Sequence, residues 1–184
     1  MKVTETDLPG VVIIEPRVFQ DPRGFFLETF SANRYEASGI PGPFVQDNHS
    51  RSLKGTVRGL HLQVSKPQGK LMRAVSGSML DVAVDVRVGS PNFGKWTSAL
   101  LSGENFKQLY VPPGFAHGFA VLSDIVEVEY KCTGYYDPSD ELTVFWSDPG
   151  IGIEWPVGDP ILSARDSHAL PLSQLMDRLP RFVA

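Results

Sequence analysis

Polar and apolar residues alternate along much of this chain. In "IVEVEYK" (residues 125–131), Val126, Val128 and Tyr130 fall on one face of an extended strand while Glu127, Glu129 and Lys131 take the other. "DVAVDV" repeats the pattern, with Val82, Val84 and Val86 on one side. Short β-branched and aromatic runs recur as "VVIIE", "FFLETF", "FVQDN", "LMRAV", "MLDVAVDVR", "WTSALL", "QLYV", "GFAVL" and "LTVFW", mostly bounded by Gly, Pro, Asn, Asp or Ser. "LMRAVSGSMLDV" reads as a hairpin turning at Ser76-Gly77. Helix signals are sparse. Ser31 is placed to cap a short helix running to Gly39, and Ser173 another over "LSQLMDRL". The expectation is an all-β jelly-roll β-barrel with a few short peripheral helices, its mouth open to a ligand.

Composition narrows the class. The chain has 184 residues, 42% hydrophobic and 21% charged, the balance of a globular protein, and residues 1–184 are expected to form a single domain. A chain of this size buries roughly 70% of the surface it exposes when unfolded, so it needs no disulfide staples. Cys132 is the only cysteine and has no intrachain partner, which fits a reducing compartment. No apolar run approaches ~18 residues, and "MKVTETDLPG" lacks the apolar stretch of a signal peptide, so a cytoplasmic protein off the membrane is expected. The net charge of -4 argues against a nucleic-acid binder, which needs a broad basic field. A local basic pocket is compatible with it.

The histidine of "VRGLHLQ", His61, raises the question of chemistry. A metal-binding cupin barrel places two histidines two positions apart on a strand, so that both imidazoles share a face, and adds a Glu and a later His. Here the second position is Gln63, whose neutral amide is a poor transition-metal ligand, although His117 in "PPGFAH" resembles the last ligand of such sites. His49 and His168 stand at no ligand spacing. As an acid-base residue, His61 needs a carboxylate behind it, and Asp166 in "LSARDS" and Asp81 are both candidates between which spacing does not choose. Tyr130, expected to point inward, is either a packed ring with a bonded hydroxyl or a proton donor. Arg58 and Lys70 beside an apolar mouth suit an anionic ligand such as a diphosphate, and with no Gly-rich phosphate loop in the chain, side chains must hold it.

Nine segments, "DPRGFFLETF", "FVQDNHSRS", "VRGLHLQ", "KPQGKLMRAVSG", "DVAVDVR", "SPNFGKW", "PPGFAHGFAVLS", "YKCTGYYDP" and "DPGIGIEWP", occur in the order found in dTDP-4-dehydrorhamnose 3,5-epimerases, and the chain resembles that family over nearly its whole length. The resemblance implies a cupin-type jelly roll, a homodimer paired through sheet edges to which the N-terminal strands can contribute, and no metal or organic cofactor. It also implies dTDP-4-keto-6-deoxyglucose as substrate, inverted at carbons 3 and 5 through an enolate. Carried over by residue, His61 is the base, Asp166 orients it, Tyr130 returns a proton at carbon 5 and Lys70 stabilises the enolate. Arg23, Glu28, Gln46, Asn48, Arg58, His117 and Glu141 match nucleotide-sugar contacts, with Phe19 and Tyr136 as stacking partners for the thymine. Glu28 and Glu141, being anions, must meet base or sugar rather than phosphate. In a regular strand Arg58 and His61 point to opposite faces, so both reach one ligand only at the rim or through a bulge near Gly59.

Three positions depart from the family pattern. Arg165, itself counted among the substrate contacts, stands where a lysine is common, Leu62 replaces an aromatic, and Phe145 a basic residue. Alternatives are a relative that inverts only carbon 3, a metal-dependent cupin enzyme, and a non-catalytic sugar-nucleotide binder.

Overall fold

A computed structural model describes residues 1–183. The strands are β1 (Lys2–Glu5), β2 (Val12–Glu15), β3 (Val18–Asp21), β4 (Gly24–Leu27), β5 (Gln46–Leu53), β6 (Val57–Gln63), β7 (Lys70–Ser76), β8 (Ser78–Asp85), β9 (Trp96–Ser102), β10 (Gln108–Val111), β11 (Phe115–Val121), β12 (Ile125–Cys132) and β13 (Glu141–Thr143). Two short helices, α1 (Ala32–Glu36) and α2 (Ala164–Ser167), lie outside them. The strands form an antiparallel six-stranded sheet, ordered β1-β2-β10-β7-β12-β5, and a five-stranded sheet, ordered β13-β6-β11-β8-β9, while β3 and β4 make a separate hairpin. This is the all-β jelly roll expected from the alternation, of the cupin type that the resemblance implies.

The inner faces of the two sheets meet in one apolar cluster that includes Met72, Ala74, Val126 and Val128 from the larger sheet and Met79, Ala83, Leu101 and Phe119 from the smaller. Tyr130 packs against it, as the parity of β12 requires. Alternation in β8 sends Val82 and Val84, and Val86 just past its end, to the other face, where Leu172, Leu175 and Leu179 near the C-terminus cover them. The six-stranded sheet is capped likewise, by Tyr35 of α1 and Ile40 over Ile14, Leu71 and Tyr110. With both outer faces partly covered, the central strand β11 is buried at every position. Among the described residues no helix is long and apolar enough to cross a membrane.

Three sequence expectations need correction. Ser76-Gly77 is not a hairpin turn: β7 pairs with β10 and β12, whereas β8 pairs with β11 and β9, so the chain changes sheets at this corner. Gly77 has φ +72°, and a Cβ there would lie 2.0 Å from the carbonyl oxygen of Ile125. A glycine between two apolar runs marks such a corner and a hairpin turn alike. "LSQLMDRL" forms only a single 3₁₀ turn, Leu172–Gln174, with Pro171 rather than Ser173 at its N-cap. Its apolar side chains are drawn onto β8 and β11, and tertiary packing wins over the helical pattern. Ser31 does precede α1, but its side chain makes no capping bond and the helix stops at Glu36.

Candidate functional site

β6 and β11 build the centre of the site. His61 and His117 are cross-strand partners, and the next pair is Arg58 with Phe119, so β6 spends three residues where β11 spends two. That extra residue is a β-bulge at Gly59, where φ is +131° and a Cβ would come 2.6 Å from the Cα of Gly118. The bulge reverses the parity of β6 and brings Arg58 onto the same side as His61. Both line one cavity of about 130 Å³ with Ser50, Lys70, His117, Tyr130, Met72 and Phe119.

The two aspartates part company. His61 Nε2 stands 2.6 Å from Asp166 Oδ1, and His117 Nε2 stands 2.7 Å from Asp81 Oδ1. Asp166 lies in α2, where the Ser163 hydroxyl accepts its backbone N–H at 3.1 Å and fixes the turn. Burial disfavours the Asp166 charge, but the bond from His61, the electrostatic attraction within that pair, and smaller contributions from Ser163 and Gly59 outweigh it and hold the carboxyl below its usual range. Because the carboxylate accepts from Nε2, Nδ1 is left as the nitrogen able to take a proton. The nearest acidic atom to Nδ1 is Glu141 Oε1 at 3.8 Å.

Lys70 enters from β7 beside Cys132 of β12. Desolvation pushes its ammonium pKa down, with Cys132 and Asp81 opposing that shift. Burial raises the Tyr130 pKa, helped by Cys132 and Tyr136 and opposed by Arg58, so the phenol keeps its proton at neutral pH.

A second cavity of about 350 Å³ shares His61, Lys70 and Tyr130 and extends to Gln46, Asn48, Tyr136, Glu141 and Arg165. Part of its wall is a hydrogen-bonded chain. Gln46 Nε2 donates to Asn48 Oδ1 at 2.9 Å and Gln46 Oε1 accepts from the Tyr136 N–H at 2.9 Å, while the Tyr136 hydroxyl donates to Glu141 Oε2 at 2.7 Å and Arg165 pairs with the same oxygen. A third cavity, about 520 Å³, opens on the far side of His61 past Arg51, Arg58, Ile161 and Asp166. Arg58 is held there by its Nε bond to Ser52 Oγ at 2.9 Å.

Phe19, Arg23 and Glu28 lie away from these cavities on this chain. Phe19 is in the β3–β4 hairpin, Arg23 at its tip bonds to Asp21, and Glu28 just beyond pairs with Arg34 at 3.2 Å. Of the departures, Leu62 is buried and lines the second cavity, and Phe145 packs edge-on against Trp146. Sequence reasoning overlooked Ser50, Met72, Phe119 and Cys132 as lining residues. Strand parity offered a signal for Ser50, since it shares a face with Asn48 on β5. Gln63 serves as a clamp: its amide donates to the Lys66 carbonyl at 2.9 Å and accepts from the Asp137 N–H at 2.7 Å, tying two rim loops together. Among the described residues no group of three or more His, Cys, Asp and Glu side chains is arranged to hold a metal ion.

Residues 5–174 match the family model of dTDP-4-dehydrorhamnose 3,5-epimerase. The dTDP-4-dehydrorhamnose 3,5-epimerase of Pseudomonas aeruginosa is 51% identical over 168 residues, covering 90% of this chain and 93% of that protein. That of Neisseria gonorrhoeae is 53% identical over 167 residues, but there the match spans 90% of this chain and only 51% of the relative's length. In three dimensions the chain is similar to the dTDP-6-deoxy-D-glucose-3,5-epimerase of Legionella pneumophila crystallised with dTDP-4-keto-L-rhamnose, with a TM-score of 0.96, 48% identity, and coverage of 100% of this chain and 99% of that one.

Proposed function

The chain belongs to the dTDP-4-dehydrorhamnose 3,5-epimerase family, and on that premise we propose that it is an isomerase converting dTDP-4-keto-6-deoxy-D-glucose to dTDP-4-keto-L-rhamnose. One observation carries the reading: a base held by a carboxylate, a protonated phenol and a buried ammonium line a single small cavity.

The 4-keto group acidifies the hydrogens on carbons 3 and 5, and each inversion removes one of them and returns a proton from the opposite face. His61 Nδ1 takes the proton, and the C–H electron pair moves into the carbonyl to leave an enolate oxygen. Asp166 fixes the ring by its Nε2 and stabilises the imidazolium that forms. The Lys70 ammonium stabilises the enolate oxygen, and its buried site makes that interaction stronger than it would be in water. The Tyr130 phenol supplies the returning proton at carbon 5, and its raised pKa suits it to hold that proton until a much stronger base develops. Arg58 and His117 beside the same cavity suit the diphosphate, and Tyr136 with the Gln46–Asn48 pair suits the thymine. Arg165, joined to Glu141 and Tyr136, closes the wall next to that subsite.

We infer that the working form is a homodimer. The β3–β4 hairpin leaves Phe25 58% and Phe26 69% exposed, a costly arrangement for a lone chain. The same hairpin region holds Phe19, Arg23 and Glu28, and a second copy would allow it to reach a neighbouring nucleotide subsite. The buried, unpaired Cys132 thiol supports a reducing compartment such as the cytoplasm.

The roles are tested by coupling turnover of dTDP-4-keto-6-deoxyglucose to a ketosugar reductase that accepts only the L-configured product. His61→Asn is expected to lower kcat by about 10³-fold or more, and Tyr130→Phe to slow inversion at carbon 5 more than at carbon 3. Unchanged turnover in His61→Asn would remove the base assignment.

A further inference from the structure

A base that serves two carbons must be emptied between them. After one abstraction His61 carries the proton on Nδ1, and it takes a second only when the first has gone. Asp166 does not remove it, because that carboxylate is buried, holds Nε2 at 2.6 Å and stabilises the imidazolium. The other side of the ring offers a route. β13 pairs with β6 so that Thr143 stands opposite His61 and Glu141 opposite Gln63, which sets Glu141 on the face of His61 as its diagonal neighbour. Glu141 Oε1 stands 3.8 Å from Nδ1, the nitrogen that Asp166 leaves open. Glu141 Oε2 is anchored on the side away from the ring, accepting from the Tyr136 hydroxyl at 2.7 Å and pairing with Arg165. The Glu141 side chain is only 11% exposed, whereas Tyr136 and Arg165 are both about half exposed, so this carboxylate sits between the base and the rim.

We propose that Glu141 is the proton exit of the site: it takes the proton from His61 after each abstraction and passes it to water at the rim. The inference rests on the epimerase reading of the site. The Nδ1–H bond breaks and an Oε1–H bond forms, water then takes that proton, and Tyr130 recovers from water the proton it gave to carbon 5. With a neutral ring the gap is about 1 Å longer than a hydrogen bond. A charged ring attracts the carboxylate across it. Because Oε2 stays anchored by Tyr136 and Arg165, Oε1 swings toward Nδ1 on a fixed pivot.

The test follows deuterium uptake into saturating dTDP-4-keto-6-deoxyglucose in deuterated water, by rapid quench and mass spectrometry, with enough protein to resolve the first deuterium per site. Glu141→Gln keeps the shape of the side chain and takes no proton. In this variant the first deuterium is expected to enter about 10²-fold faster than later ones, a ratio well above that of the wild type. Imidazole, added as a diffusible proton acceptor, is expected to speed only the later ones. Equal slowing of first and later uptake would mean that Glu141 merely shapes the wall, and would overturn the proposal. A burst that imidazole leaves unchanged would mark slow product release and overturn it as well. No uptake by the wild type is a different failure, that of the epimerase reading itself. Should Glu141→Gln not fold, Glu141→Asp decides, since it draws the carboxylate back by one methylene: a burst of one deuterium per site with imidazole rescue is expected, and its absence contradicts the proposal.

Discussion

His61 and His117 face each other across β6 and β11, each with Nε2 on its own carboxylate, Asp166 at 2.6 Å and Asp81 at 2.7 Å. The carboxylate that holds His61 stands 105 positions away in the chain, and only the family resemblance, not spacing, named Asp166 as that partner. Spacing left Asp166 and Asp81 as equals, because the choice depends on how α2 folds back over β6. Tyr130 was legible, since alternation in β12 alone turns it inward. The depressed Asp166 pKa has a consequence for stability. Its carboxylate contributes fully above the unfolded value, near 4, and the contribution is lost as pH falls through the lower folded value. Asp166→Asn is therefore expected to flatten the dependence of the urea midpoint on pH across that acid window. It is also expected to lower kcat by about 10²–10⁴-fold. A slope equal to that of the wild type would show that the pair with His61 adds nothing to stability.

Elements carry the site through two irregularities. The bulge at Gly59 gives Arg58 and His61 a common face, and the sequence allowed for it because regular parity set the two apart. The corner at Gly77 was misread, because local sequence does not reveal whether the strand after a glycine pairs with its predecessor or crosses to the opposite sheet. What decides is long-range pairing, here of β8 with β11 and β9. At Gly77 a positive φ coincides with backbone oxygen in the space a side chain would fill. Gly77→Ala is expected to cost at least about 2 kcal/mol, from left-handed strain plus displacement of the β12 start. Equilibrium unfolding in urea measures this, and a loss below about 0.5 kcal/mol would mean that the corner relaxes freely.

On the scale of the whole molecule, two facing sheets make a cup, and the rim collects residues from β5, β6, β7, β12 and the loops clamped by Gln63. Phe19, Arg23 and Glu28 are easily recognised by resemblance, yet one chain does not bring them to the cup, and a sequence holds no record of which copy supplies a residue. If a second copy does, the protein sediments at about twice its mass of 20.3 kDa, and Phe26→Asp shifts it toward monomer with a raised KM. A monomeric wild-type protein at full activity would contradict the dimer. The epimerase reading itself meets its most direct test in deuterated water, with dTDP-4-keto-6-deoxyglucose as substrate and carbons 3 and 5 followed by NMR. Deuterium is expected at both carbons, with loss of exchange in His61→Asn. Exchange at carbon 3 alone would contradict the double inversion and point to a single-centre epimerase, and exchange at neither carbon would contradict the reading altogether.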